Sequence, residues 1–231
     1  MKEYLKLFND YVKTFDYQDK MILHKFHHTY RVMDFCKQIA LSIHADTKIA
    51  QLCGLFHDIG RFEQYQTYFD VCSVDHGDLG VSILKEHFNS IENYDLILFA
   101  TKNHNKLIIE ETEDSKKLLF TKIVRDADKL DIMKEQGLTI KDWKPSINEE
   151  ILNQLFSNQL VHDQTLKTDV DYVFRLLGFI YDINFKYTYQ YILNNHIIEN
   201  KINLLECYID DERLEALKKH LIEYCKKKVN E

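Results

Sequence analysis

Asp46-Thr47-Lys48-Ile49-Ala50-Gln51-Leu52-Cys53-Gly54-Leu55-Phe56-His57-Asp58-Ile59-Gly60 is the stretch on which the fold is read. Asp46 or Thr47 can cap a helix, the apolar run that follows has helical periodicity, and Gly60 is placed to end it. The apolar run closes on His57 and Asp58, an imidazole beside a carboxylate. Neighbouring side chains on a helix diverge by about 100°, so these two do not face each other. They can still converge on one ion beyond the helix end. The plainer alternative is that Asp58 and Gly60 make a C-terminal stop and His57 sits favourably against the helix dipole.

Outward from this stretch, helical periodicity dominates. Upstream, residues 20–44 form a helix with Phe26, Tyr30, Met33 and Phe35 on its apolar side. Downstream, residues 61–74 read as irregular and aromatic, and Asp75 or Ser73 caps the helix "HGDLGVSILKEHF". Two more helices are predicted over 93–104 and from Ser115 to Gln136, the second stopped by Gly137. One proline and six glycines in 231 residues leave too few turns for a sandwich or barrel. The single proline stands in "DWKPS", beside Trp143, and marks the boundary. Beyond it helices are predicted near 148–158, 168–197 and 210–228, the last with opposite charges at Glu215 and Lys219. The expected architecture is all-α: a helical bundle over residues 1–143 and a helical extension over 144–231. The extension carries no chemical cluster and is expected to pack on the bundle, as a lid or a dimer surface, rather than stand alone.

Composition narrows the partners. The chain is 45% apolar and carries a net charge of −7, which argues against a long nucleic acid and leaves room for a small anion in a local cationic pocket. The basic tail "KKHLIEYCKKK" reads as a solvated helix face. No apolar stretch approaches membrane-spanning length, and "MKEYLKLFND" has no signal-peptide core. The five cysteines, Cys36, Cys53, Cys72, Cys207 and Cys225, show no CxxC spacing and read as reduced, mostly buried thiols of a cytoplasmic protein.

Three further motifs surround His57-Asp58: "HHTYRVMDF" with His28, "DHGDLGVSIL" with His76 and "TKNHNK" with His104, and then "RDADKLDIM" with Asp128. In this order, H…HD…H…H…D, the sequence resembles the HD-domain phosphohydrolase superfamily over roughly residues 20–135. The "T-x-R-V" pattern selects His28 over His27, and "AD" followed by a basic residue selects Asp128 over Asp126 and Asp131. Asp126 is left as an outer or core carboxylate, and Asp131 as a group that orients a ligand or a water.

The resemblance implies a helical HD-domain bundle and one or two divalent metal ions. One ion would take His28, His57, Asp58 and Asp128. The other would share Asp58 and add His76 and His104, unless those two histidines contact substrate instead. Imidazole and carboxylate ligands suit Fe, Mn, Co, Ni, Zn or Mg. His24, His27, His44, His87, His162 and His196 show no comparable pattern and read as surface or core histidines.

Metal-activated hydroxide attacking phosphorus is the chemistry this implies. The expected activity is that of a metal-dependent hydrolase of a phosphoric monoester or diester in a small molecule, foremost a nucleotide. Asp58 bridges the ions, and Arg61, then Arg31 and Lys106, are the expected phosphate contacts. Lys102 and Arg125 read better as ion-pair partners. Gln64, Tyr65, Tyr68 and Phe69 could wall a base or sugar, or be core. Two alternatives stand beside this reading, a di-iron oxygenase of the same family and a nucleotide-sensing module without turnover. A homodimer is compatible with the extension.

Overall fold

The computed structural model describes residues 1–68, 74–135, 137–162 and 165–231; Phe69, Cys72, Ser73 and Gln136 lie outside the described residues. The regular structure of the described residues is helical throughout. Two compact units are formed, Met1–Asp131 and Ile132–Glu231. The division falls in the last turn of a helix, whereas the sequence reading placed it at 143/144.

The first unit contains α1 (Lys2–Val12), α2 (Lys20–Ser42), α3 (Thr47–Phe56), α4 (Ile59–Glu63), α5 (His76–His87), α6 (Tyr94–Asn103) and most of α7 (Ser115–Lys134). Helix starts follow the capping rules. The carboxylates of Asp19, Asp46 and Asp75 each accept two backbone N–H bonds at the heads of α2, α3 and α5. Asp114 accepts from Lys116 and Lys117 at the head of α7. The core is apolar and aromatic, with Phe8, Phe56, Phe62, Ile22, Leu52 and Leu55 fully enclosed. Phe8 of α1 sets its ring 5.8 Å from that of Phe62 and 6.4 Å from that of Phe56.

Two glycines decide how closely the helices approach. A Cβ on Gly54 would stand 2.8 Å from Met33 Cα, so α2 and α3 pack backbone to backbone there. Gly60 corrects the sequence reading. It does not stop a helix: α3 ends at Phe56, His57 and Asp58 form the corner, and α4 restarts at Ile59 with Gly60 inside it. Its role is close approach, since a Cβ there would lie 2.2 Å from the His76 carbonyl oxygen. Past Glu63 the chain continues in a π-helical turn, Gln64–Tyr68, where an irregular segment was expected.

The second unit contains α8 (Glu149–Phe156), α9 (Asp169–Gly178), α10 (Lys186–Asn194), α11 (Ile197–Glu206) and α12 (Arg213–Asn230). The single helix expected over 168–197 is broken twice. After α9 comes a 3-10 turn, Phe179–Asp182, and the Tyr189 hydroxyl donates to the carbonyls of Ile180 and Ile183 at the break. The second break is at Asn195-His196, where His196 takes a left-handed φ of 52°. The described cysteines are free, and of them Cys36, Cys53 and Cys225 are buried while Cys207 is exposed. Among the described residues, no helix is long and apolar enough to cross a membrane.

Candidate metal centre

Four helices and one corner bring six side chains to a single point. His28 comes from the middle of α2, His57 and Asp58 from the α3–α4 corner, His76 from the first residue of α5, His104 from the C-cap of α6, and Asp128 from α7. All but Asp128 are buried, and Asp58 is 2% exposed.

Asp58 is the hub, and its two oxygens face different neighbours. Oδ2 lies 3.5 Å from His28 Nε2 and 3.6 Å from His57 Nε2. Asp128 Oδ1 completes that group, 3.1 Å from His28 Nε2 and 3.7 Å from His57 Nε2. Oδ1 of Asp58 faces the other way, 3.3 Å from His76 Nε2 and 3.4 Å from His104 Nε2, and those two nitrogens are 3.1 Å apart. Ligand atoms bound at about 2.1 Å to one ion stand about 3.0 Å apart in octahedral geometry and about 3.4 Å apart in tetrahedral geometry. On the His76 and His104 side the spacings fall between those values, and on the side of His28, His57 and Asp128 they run from 3.1 to 3.7 Å. The trios His28/His57/Asp58 and Asp58/His76/His104 can each hold a cation, and so can His57/His104/Asp128.

The outward-facing ring nitrogens are fixed by acceptors. His57 Nδ1 donates to the Gly54 carbonyl and His104 Nδ1 to the Thr101 carbonyl, each at 2.7 Å. The proton is thereby placed on Nδ1, and Nε2 is left as the lone-pair nitrogen facing the centre. His28 Nδ1 is 2.7 Å from Asp131 Oδ2. Asp131 is in turn gripped by Arg31, whose Nε and Nη2 donate to its two oxygens at 2.7 and 2.9 Å. His76 Nδ1 stands 3.4 Å from the Asn105 amide nitrogen.

Electrostatics follow from this arrangement. Burial alone would push the Asp58 carboxyl up, but the Lys25 ammonium, His57, His104 and His28 hold it well below the ordinary carboxylate range. Burial also opposes ionisation of Asp128, and the neighbouring imidazoles, foremost His28 at 3.1 Å, hold its carboxyl well below the ordinary range. Burial lowers His57, and it lowers His76 to about 3. His28 goes the other way: against burial and the Lys25 charge, Asp128, Asp131 and Asp58 raise it to about 10. A cation arriving at His28 must therefore displace a proton at any pH below about 10, whereas His57 and His76 are already neutral. Metal affinity is expected to rise by up to about tenfold per pH unit between pH 6 and 9. Calorimetric titration of metal in buffers of different ionisation enthalpy should count about one proton released per centre at pH 7.5.

The remaining sequence candidates divide. Arg61 stays near the hub: its Nη1 donates to Gln64 Oε1 at 2.7 Å, and its Nε lies 3.8 Å from Asp58 Oδ1. Gln64 is buried and donates on to the Val74 carbonyl at 2.6 Å. Arg31 is engaged with Asp131, one step out from the centre. Lys106 binds Asp75 and Asp78, each at 2.8 Å, at the head of the helix that begins with His76. Lys102 pairs with Glu110 on the surface. Arg125 is buried, and its Nη1 donates to the carbonyls of Asn103, His104 and Lys106. Tyr65 and Gln66 line a groove of about 450 Å³ with Phe15, Asp16 and Asp19, while Tyr68 is exposed. Sequence reasoning missed Lys25, which donates to Asp58 Oδ2 at 2.7 Å. Its spacing of one turn before His28 was the available signal.

The first unit is thus all-α and carries a buried histidine and aspartate cluster able to hold a divalent metal ion. Residues 26–133 match the family described as HD domain, and this segment of the chain is an HD domain. The match runs from just before His28 to just past Asp131. No curated protein and no solved structure matches the chain.

Proposed function

We propose that the protein is a metal-dependent phosphohydrolase that cleaves a phosphate ester of a small molecule, foremost a nucleotide, and that its centre holds two divalent ions. The observation that carries this is the orientation of Asp58, which turns one oxygen to His28, His57 and Asp128 and the other to His76 and His104. Bound divalent ions supply Lewis acidity and an acidified water near neutral pH. The chain's own groups do the rest. Asp131, clamped by Arg31, fixes the His28 ring. Lys106 steadies Asp75 and Asp78 at the head of α5 and with them the start of the helix that bears His76. Arg61, steered by Gln64, meets a phosphoryl oxygen. The net charge of −7 supports a small substrate over a polynucleotide.

Metal analysis of protein purified without chelator, followed by a screen of phosphorylated metabolites with Mn²⁺ added, tests this reading. Metal-dependent phosphate release is expected, and Arg61→Ala should keep its ions while losing about 10²–10³ in turnover. An iron-coloured protein that consumes dioxygen with substrate would point to the oxygenase. Tight nucleotide binding without phosphate release would point to a sensor.

A further inference from the structure

Two basic side chains approach the Asp58 hub, one at each oxygen. On one side Lys25 Nζ donates to Oδ2 at 2.7 Å, from a side chain only 12% exposed. A lysine on a helix face ordinarily carries its charge out to water; Lys25 turns inward, one turn before His28 on α2. Its ammonium has three N–H donors, and Asp58 accepts one of them. On the other side Arg61 Nε is 3.8 Å from Oδ1, fully buried and without a hydrogen-bond partner. Burying charged donors without acceptors is costly. The arrangement makes sense where an anionic acceptor arrives between them.

We propose that Lys25 is a second substrate-binding cation and forms, with Arg61, a two-pronged clamp over Asp58 that holds a terminal phosphomonoester dianion. This rests on the phosphohydrolase reading and narrows it from esters in general to monoesters. Charge complementarity carries the narrowing. Among the described residues the carboxylates at this point are Asp58 and Asp128, with Asp131 already paired with Arg31, so two divalent ions bound there beside Lys25 and Arg61 would leave a positive surplus. The positive surplus is matched better by a terminal phosphate bearing two charges than by a diester bearing one. The oxygens of a terminal phosphate can also accept from the two prongs at once.

Inorganic phosphate is the probe for this clamp. It is titrated calorimetrically into metal-loaded wild type, Lys25→Ala and Lys25→Arg, with the metal content of each measured alongside. Lys25→Ala should retain both ions and bind phosphate about 10–100-fold more weakly. KM for p-nitrophenyl phosphate should rise by a similar factor with a smaller change in kcat, and Lys25→Arg should restore part of the loss. Wild type should prefer this monoester to bis(p-nitrophenyl) phosphate. If the alanine variant does not fold, Lys25→Met keeps the aliphatic stem and answers the same question. Unchanged phosphate affinity with both ions in place overturns the clamp. So does loss of the ions from Lys25→Ala and Lys25→Met alike, which would make Lys25 a support for Asp58, and so does equal turnover of diester and monoester. If wild type turns over no phosphoester and yet binds phosphate in a Lys25-dependent way, the hydrolase reading fails and the clamp stands.

Discussion

Asp58→Ala is expected to strip the centre of both ions and to reduce phosphate release by more than about 10³-fold, several kcal/mol of transition-state stabilisation. Each half of the cluster depends on one oxygen of this side chain, so one truncation removes a ligand from both. It also leaves the Lys25 ammonium buried without its partner, a loss of about 3–5 kcal/mol for a broken buried pair. The damage would not come from helix capping, because the Asp58 side chain makes no capping bond to α4. Asp58→Asn separates the two effects: it keeps the shape and one acceptor oxygen while removing the charge. Metal content by mass spectrometry, thermal melting and phosphate release together decide the matter. An alanine variant that retains two ions and full turnover would end the bridging assignment.

Gly60→Ala should be nearly as damaging without touching any ligand side chain. The added methyl would stand 2.2 Å from the His76 carbonyl and 2.7 Å from the Gly80 nitrogen, against ordinary contact at 3.4–4 Å. Both neighbours are helix backbone, which cannot swing aside, so α5 must retreat by about 1 Å and take His76 with it. A displacement of that size at a reacting centre costs about 10²-fold, and overpacking of this kind destabilises by about 1–3 kcal/mol. The expected outcome is a folded protein with a lowered melting temperature and a metal count falling from two towards one. The ion held by His28, His57 and Asp128 should be the survivor. Wild-type metal content and melting temperature in Gly60→Ala would show that α4 and α5 do not meet as described.

The cluster was legible because its order along the chain is distinctive, and because four of its six members, His57, Asp58, His76 and His104, stand where helices begin or end. His76 follows its cap Asp75, and His104 closes α6. Gly60 was misread because a glycine after an apolar run has two meanings, a stop or a close approach, and only the facing helix distinguishes them. The break in 168–197 was invisible for a related reason. "GFIYDINFKYTYQY" holds no proline and no glycine past Gly178, and the chain turns there because the Tyr189 hydroxyl supplies the donor the bare carbonyls need. Lys25 was passed over because a lysine two residues before a histidine pair looks like any solvated helix position. Its burial is a property of the assembled unit. Spacing put Arg31 and Lys106 forward as phosphate contacts, and it could not show that Asp131 and Asp75 would engage them.

Arg125 and Asp128 sit one turn apart on the same rigid rod, and their side chains serve opposite ends of the cluster. Asp128 closes the group around His28 and His57, while Arg125 staples the carbonyls that follow α6 and thereby seats His104. A single helix thus ties the two halves of the cluster together. In the segment that follows, Leu107 and Ile108 are turned to solvent, while Glu110 is tied back to the end of α6 through its backbone N–H on Asn103 and its carboxylate on Lys102.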